Sequence, residues 1–230
     1  PRSGPMSAGA KKAKPSPVAV LFSGGADSTA VAVHLLGEGR EAPLLTFDNG
    51  AEKWLELAEY KAGFIRKRFP GACTWKLLDS TRLFRELAVA PMAEDIRRFG
   101  KGGNLVCCGC KLAMLSEAVV YCRRSGIREL ADGFQRGQGY YPEQTADYMV
   151  PADRFARSFG IRCIHPFWDR PGPEQERVAL AAAVPPAPVQ PWCLFGGNPI
   201  LEKGDIRAYV ESKLPAMRAH VASALGRKRG

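Results

Sequence analysis

Short apolar runs alternate along the chain with longer segments whose apolar residues recur at helical spacing. Five of these runs have the length and content of buried strands, and they cover residues 18–22, 43–48, 72–79, 127–132 and 161–167. Helical patterns follow at 27–36, 51–69, 80–89 and 111–124. The alternation predicts an α/β fold with a doubly wound, parallel five-stranded sheet of the Rossmann-like kind, which binds ligands at the carboxyl ends of its strands.

The segments between and beyond these patterns predict the domain organisation. Residues 1–16 are rich in Gly, Pro, Ser and Lys, and we expect a disordered basic tail there. Residues 17–198 are expected to form the main domain with its cysteine-bearing loops, and residues 199–230 a C-terminal helical extension broken near Pro215. Within the main domain we expect irregular structure at 90–110, a mobile stretch at 133–149, a short helix at 173–183 and a Pro-rich linker at 184–192.

Composition adds weaker constraints. The formal net charge is +10, but seven of the 33 basic residues lie in the first fourteen or the last four positions, which contain no acid. Basic ends of this kind favour nucleic-acid binding only weakly. No apolar run reaches eighteen residues and no signal-peptide pattern begins the chain, so we expect neither a membrane span nor export. Seven cysteines then indicate a reducing, cytoplasmic compartment in which thiols serve metals or catalysis.

The stretch "SGGADS" joins the first predicted strand to the first predicted helix. Glycine lets a backbone approach a ligand closely, and a helix start offers free N–H groups to an anion. The sequence lacks Gly-Lys-Ser/Thr and GxGxxG, which disfavours Walker-type and dinucleotide sites. A plain turn with a capping aspartate is the alternative. The residues that would hold the phosphate are Ser23, Gly24, Gly25, Asp27, Ser28 and Thr29.

The stretch "SGGADS", residues 23–28, resembles the SGGxDS signature of the PP-loop, or N-type, ATP pyrophosphatase family. Enzymes of that family cleave ATP between the α and β phosphates, adenylate a substrate and release pyrophosphate. The resemblance implies that residues 23–28 embrace the leaving pyrophosphate and that Asp27 acts with Mg²⁺. It also implies that adenine lies at the end of the second strand, near Phe47 and Asp48.

Three of the cysteines have spacing that suits a shared metal or cluster. Cys107 and Cys110 form a CxxC pair, whose thiolates can converge on one site, and Cys193 follows the Pro-rich linker. Cys108 and Cys110 are too closely spaced to be the more natural pair of ligands. The sequence nevertheless leaves open whether Cys107 or Cys108 is the ligand. The remaining cysteines are expected to be buried apolar residues, and they are Cys73, Cys122 and Cys163.

This layout resembles the iron–sulfur-dependent tRNA thiolases and related sulfur insertases of the PP-loop family over residues 18–197. In that subset a CxxC, often followed by Lys, precedes a lone third cysteine. The resemblance implies a [4Fe–4S] cluster held by Cys107, Cys110 and Cys193, with one iron free for hydrosulfide, and it implies that Lys111 stabilises developing negative charge. A persulfide pair of Cys110 and Cys193, structural zinc with His165 as fourth ligand, and inert cysteines are the alternatives.

The match is looser after the fourth predicted strand. Asp132 and Gly133 fit the family's nucleotide-facing position, but the acidic pair found in many relatives is missing. Because that pair is missing, Mg²⁺ would rely more on Asp27. A plain turn at Asp132 and Gly133 is a nearly equal alternative.

The partners remain open at this stage. A tRNA base is the first choice of substrate, because Tyr140 and Tyr141 are suited to stack on a base and basic residues surround the cysteines. These basic residues are Arg97, Arg98, Lys101 and Lys111. A small metabolite or cofactor precursor is the second choice, and a PP-loop ligase or amidotransferase with incidental cysteines is the third. The sulfur donor would be sulfide or a sulfur carrier, and a homodimer is a further expectation.

Overall fold

The computed structural model describes residues 15–100, 105–169, 180–184, 190–196 and 204–226. Most of the predicted basic tail lies outside these residues, as do Lys101 and most of the predicted 173–183 helix and Pro-rich linker. The strands are β1 (Ala19–Leu21), β2 (Ala42–Asp48), β3 (Glu52–Lys53), β4 (Cys73–Asp79), β5 (Glu129–Ala131), β6 (Arg162–Ile164) and β7 (Trp192–Cys193). The helices are α1 (Ala26–Gly37), α2 (Glu56–Arg68), α3 (Thr81–Phe84), α4 (Met92–Phe99), α5 (Leu105–Ser125), α6 (Ala146–Ser158) and α7 (Ile206–Gly226).

The predicted five-stranded sheet is confirmed. Its strands run in the order β4-β2-β1-β5-β6, and every neighbouring pair is parallel. The chain builds outward from β1 to β4 on one side and then returns to add β5 and β6 on the other. This reversal opens a crevice at the carboxyl ends of β1 and β5, where doubly wound sheets bind ligands.

Alternate residues of the strands face two separate apolar layers, as a sheet covered on both sides requires. Val20 and Leu44 face α1 and α2. Ala19 and Leu45 face the larger layer, which contains α5 and α7. The C-terminal helix therefore shares the core of the sheet domain.

The segment predicted to be irregular at 90–110 contains two helices. Helix α4 begins at Met92, and α5 already begins at Leu105, six residues before the predicted start. The prediction failed because the glycines at 102 and 103 were taken to break structure throughout the segment. As a result, the CxxC pair lies in the first turns of a helix.

Helix α5 is long and apolar enough in composition to cross a membrane, but most of it is buried inside the protein. Its apolar residues contact α6 and α7 within one core cluster. It is therefore the central helix of this layer of the domain.

Two further differences concern α6 and α7. Residues 146–149 belong to α6, which was not predicted, and the Thr145 side chain caps it by accepting from the backbone N–H of Tyr148. Helix α7 continues through Pro215, where a break was predicted. Its buried face, including Val210 and Met217, packs in the same core as α5, and this packing offsets the cost of an internal proline.

Candidate functional site

The turn between β1 and α1 has a backbone geometry suited to an anion. Gly24 has a φ of 82°, in the left-handed region that favours glycine. The Ser23 hydroxyl accepts from the Gly25 N–H at 3.3 Å, and the Ser28 hydroxyl donates to the Gly25 carbonyl at 3.3 Å. The residue before α1 is Gly25, so no side-chain hydrogen bond caps the start of this helix. The first N–H groups of this helix and the positive end of its dipole therefore point toward the crevice.

A cavity of about 420 Å³ lies at this crevice. Ser23, Asp27 and Ser28 form one end of it, and Phe47 lies at the end of β2 beside it. Asp48 is not among the lining residues; its carboxylate accepts from the Gly50 N–H at 2.8 Å and holds a turn. Thr29 is fully buried, and its hydroxyl donates to the Gly24 carbonyl at 3.3 Å.

The cavity wall opposite the phosphate loop comes from the segment after β5. Its lining residues are Asp132, Gly133, Phe134, Gln138, Tyr140, Tyr141, Glu143 and Gln144. Gly133 lies directly against the loop, since a Cβ built on it would be 2.8 Å from the Asp27 Cβ and 2.9 Å from the Asp27 carbonyl carbon. The turn that contains Asp132 and Gly133 therefore lies next to the phosphate loop in space.

Asp132 also holds a histidine. Its carboxylate oxygens lie 2.8 and 3.0 Å from His165 Nδ1, and Asp153 lies 3.2 Å from His165 Nε2. Burial alone would lower the pKa of His165, but the bonds and charges of Asp132 and Asp153 outweigh burial and raise it to about 10. A charged imidazole therefore links two carboxylates beside the cavity.

The three cysteines predicted to be ligands lie on two elements, α5 and β7. Cys107 and Cys110 lie one turn apart on α5, while Cys193 lies in β7, which pairs with β3 through the Glu52–Cys193 register. The Cys107 sulfur lies 3.9 Å from the Phe195 carbonyl, two residues after Cys193. The charge of Cys193 acts on both Cys107 and Cys110, so all three thiols are within electrostatic reach of one another.

Burial dominates the chemistry of Cys107 and Cys110. It raises the pKa of Cys107 to about 12, with the neighbouring charge of Glu143 contributing, and it raises the pKa of Cys110 to about 12. The Asn49 amide donates to the Cys110 sulfur at 3.2 Å and acts in the opposite direction. Cys108 is fully buried, whereas the charge of Cys193 acts on Cys107 and Cys110. Cys107 is therefore the better partner for Cys110.

The donor set fits a cluster better than a single ion. Among the described residues, no group of three or more His, Cys, Asp or Glu side chains could hold one metal ion. A four-iron cluster presents its irons at separate corners, so its three ligands stand farther apart than those of a single zinc. Soft thiol donors suit iron–sulfur ligation. His165, the predicted fourth zinc ligand, is bonded to Asp132 and Asp153, so that alternative finds no support.

Lys111 is the cavity-lining residue that follows the CxxC pair. It follows Cys110 on α5 and lines the cavity together with Glu52 and Glu143. Burial raises the pKa of Glu52 to about 7, while the charge of Lys111 lowers it. Burial also raises the pKa of Glu143, and Lys111 again opposes the effect. A cation beside two largely buried carboxyl groups therefore lies in the cavity, and its charge acts on both Cys107 and Cys110.

Sequence reasoning missed several of these groups. Glu143 and Gln138 lie in a stretch without periodicity, Glu52 belongs to a strand of two residues, and Gln190 lies in the Pro-rich linker, where its amide oxygen contacts Gly25. No local pattern distinguishes these residues from ordinary loop residues. Arg97 and Arg98 are exposed on α4 as expected, with Arg97 paired to Glu94.

No protein-family model matches the sequence, and no curated protein matches it. Three solved structures are similar at low identity. The predicted subunit of tRNA methyltransferase from Methanocaldococcus jannaschii is 22% identical, with a TM-score of 0.47 and coverage of 73% of this chain and 74% of its own. The U34-tRNA thiolase NcsA from Methanococcus maripaludis, solved with its [4Fe-4S] cluster, is 15% identical, with a TM-score of 0.49 and coverage of 91% and 68%.

A 4-thiouridine synthetase, solved as an RNA complex with bound ATP, is 18% identical. The alignment covers 92% of this chain and 54% of the synthetase chain, with a TM-score of 0.53. The chain thus spans about half the length of that enzyme. The parallel sheet, its strand order and the helices around it are accordingly those of the fold found in the 4-thiouridine synthetase.

Proposed function

We propose that this chain is a PP-loop enzyme that uses ATP to adenylate a carbonyl group of a tRNA base and replaces its oxygen with sulfur. The observation that carries the proposal is the shared cavity. Ser23 and Asp27 of the phosphate loop line the same cavity as Lys111, Glu52 and Glu143, whose charges act on Cys107 or Cys110. Nucleotide chemistry and thiol chemistry therefore have access to one substrate.

The nucleotide would lie across the carboxyl ends of β1 and β2. The hydroxyls of Ser23 and Ser28 and the free N–H groups of α1 suit the β and γ phosphates, which leave together as pyrophosphate. Phe47 and Thr46 line the part of the cavity proposed for adenine. Asp27 would serve Mg²⁺, since hard carboxylate oxygen is its preferred ligand.

The proposed reaction has two displacement steps. The substrate carbonyl oxygen attacks the α-phosphorus of ATP, the bond to the β-phosphate oxygen breaks, and pyrophosphate leaves. Sulfide then attacks the activated carbon, and the original oxygen leaves as part of AMP. Lys111 would stabilise the negative charge that develops in the second step, because its ammonium lies in the same partly buried cavity.

Cys107, Cys110 and Cys193 would hold a [4Fe–4S] cluster, which supplies a binding position for hydrosulfide when bound. The protein's own contribution is to keep these thiols near the cavity and away from bulk water. Asn49 fixes the Cys110 sulfur by its 3.2 Å hydrogen bond, and the β3–β7 pairing fixes Cys193. Sulfide or a sulfur carrier is the proposed donor, and a second copy of the chain is a possible partner in binding tRNA.

Two features support this proposal. The fold is shared with a 4-thiouridine synthetase whose structure contains RNA and ATP. Helix α4, which packs against the cysteine-bearing α5, also carries the exposed Arg97 and Arg98, which suit contacts to an RNA backbone.

The test is anaerobic incubation of the reconstituted protein with ATP, sulfide and total tRNA, followed by mass spectrometry for thionucleosides. We expect thionucleoside and one AMP for each sulfur inserted. Cys193→Ala should abolish both the product and the absorbance of the cluster near 400 nm. Cys73→Ala, at a buried cysteine on β4, is the matched control and should retain both.

Other outcomes would reject defined parts of the proposal. Turnover by colourless protein would replace the cluster with a persulfide route. Full turnover by Cys110→Ser would indicate a ligase with incidental cysteines. ATP cleavage stimulated by a small metabolite and unaffected by tRNA would reject the RNA substrate.

A further inference from the structure

Hydrogen bonds between amide groups hold together the cavity wall formed by residues 135–144. The Gln135 N–H donates to the Gln144 side-chain oxygen at 2.8 Å, and the Gln144 amide donates to the Gln138 oxygen at 2.8 Å. The Gln138 amide in turn lies 3.4 Å from an Asp27 carboxylate oxygen. This wall is therefore held in a fixed position relative to the phosphate loop.

Glu143 belongs to this wall and is incompletely satisfied. Its Oε2 atom is buried and has no hydrogen-bond partner in the described part of the chain. The residue lines the cavity, and its charge acts on Cys107 while that of Lys111 acts on it. A buried carboxyl oxygen without a donor is costly, so its presence beside a ligand cavity requires a reason. A donor brought by the substrate provides one.

The adjacent tyrosines offer a surface for a flat ring. Tyr140 and Tyr141 have ring centroids 4.5 Å apart, and both line the cavity next to Glu143. Tyr140 is exposed, so it is available to a base that enters from solution. Base–aromatic stacking accepts any base, and discrimination must come from hydrogen bonds to the edge of the ring.

We infer that Glu143 accepts a hydrogen bond from a ring N–H adjacent to the carbonyl that is sulfurated, so that the enzyme selects a uracil-type edge over cytosine. Uracil N3 carries a hydrogen, whereas cytosine N3 presents a lone pair that would oppose a carboxyl oxygen. The carboxylate form of this group has acceptor oxygens only, so it cannot donate to cytosine N3. The inference rests on the proposed function for its chemistry, but it concerns recognition and can be tested by binding alone.

The test compares the binding of pentauridylate and pentacytidylate by fluorescence anisotropy, for wild-type protein and Glu143→Gln. We expect wild type to prefer pentauridylate by about tenfold, the value of one hydrogen bond to a charged group. Glutamine carries both a donor and an acceptor, so it can also bond cytosine N3. Glu143→Gln should therefore bring the ratio of the two dissociation constants close to one.

Glu59→Gln, an exposed position on α2, is the matched control and should keep the wild-type ratio. A thermal melt checks that Glu143→Gln is folded, and a purely structural role would change the melt without changing the base ratio. Equal affinity of wild type for the two oligonucleotides, or an unchanged ratio in folded Glu143→Gln, overturns the inference. Uridine preference without any thionucleoside product would instead overturn the proposed function and leave this inference standing.

Discussion

Gly133 packs against the backbone of the phosphate loop, and the space beside its α-carbon is too small for a side chain. A methyl group there would lie 2.8–3.1 Å from atoms of Asp27 and Ser28, including two backbone atoms. We predict that Gly133→Ala pushes the loop away and weakens ATP binding by tenfold or more, measured by calorimetry. Overpacking of this kind costs about 1–3 kcal/mol, so the melting temperature should also fall by several degrees.

The control for this prediction lies four residues away. Gly137 has open space around its α-carbon, so Gly137→Ala should bind ATP like wild type. Wild-type ATP affinity in Gly133→Ala would show that the contact between this turn and the loop has no part in nucleotide binding.

At the scale of elements, a buried ion pair fixes α4 to α7. Lys213 Nζ lies 2.6 and 2.8 Å from the two carboxylate oxygens of Asp95, and both residues are buried. We predict that Lys213→Met lowers the free energy of unfolding by about 3–5 kcal/mol, because Asp95 is left as an unpaired buried charge. Urea denaturation measures the change, and the double variant Lys213→Met/Asp95→Leu should recover most of it.

An exposed ion pair on the same helix provides the comparison. Arg154 of α6 and Glu211 of α7 lie 3.1 Å apart, but both side chains are largely in solvent. Arg154→Met should cost about 1 kcal/mol or less. Equal costs for Arg154→Met and Lys213→Met would contradict the role assigned to burial.

The strands of the sheet could be predicted from the sequence, whereas two of the helices could not, and both results have physical reasons. The sheet strands could be predicted because runs such as 43–48 are mostly apolar, as strands buried on both faces require. Helix α4 could not, because its stability depends on the Lys213–Asp95 pair, which is long-range in sequence. Helix α6 contains Pro151, a residue that argues against a helix until tertiary packing is known.

At the scale of the whole molecule, the phosphate loop could be predicted from the sequence, whereas the surroundings of the cysteines could not. The phosphate loop is contiguous in sequence, so its residues could be listed before the fold was known. The cysteine site combines α5 with the β3–β7 ribbon, and the charges of Glu52 and Glu143 act on it from segments without periodic pattern. Only the folded chain brings these carboxyl groups to Lys111.

The Asp132–His165–Asp153 link joins the end of β5 to α6 and makes the stability of the whole domain depend on pH. Burial lowers the pKa of His165, but the two carboxylates raise it to about 10, against 6.5 for a free histidine. Because the folded pKa lies above the unfolded one, the charged form stabilises the fold fully below pH 6.5, and this contribution is lost as the pH rises toward 10. We predict that the urea midpoint of the nucleotide-free protein falls between pH 6.5 and 10 more steeply in wild type than in His165→Asn. The difference between the two proteins isolates this histidine from the cysteines, tyrosines and lysines that titrate in both. Asp153→Asn should give an intermediate slope, and parallel slopes for wild type and His165→Asn would show that the link does not control alkaline stability.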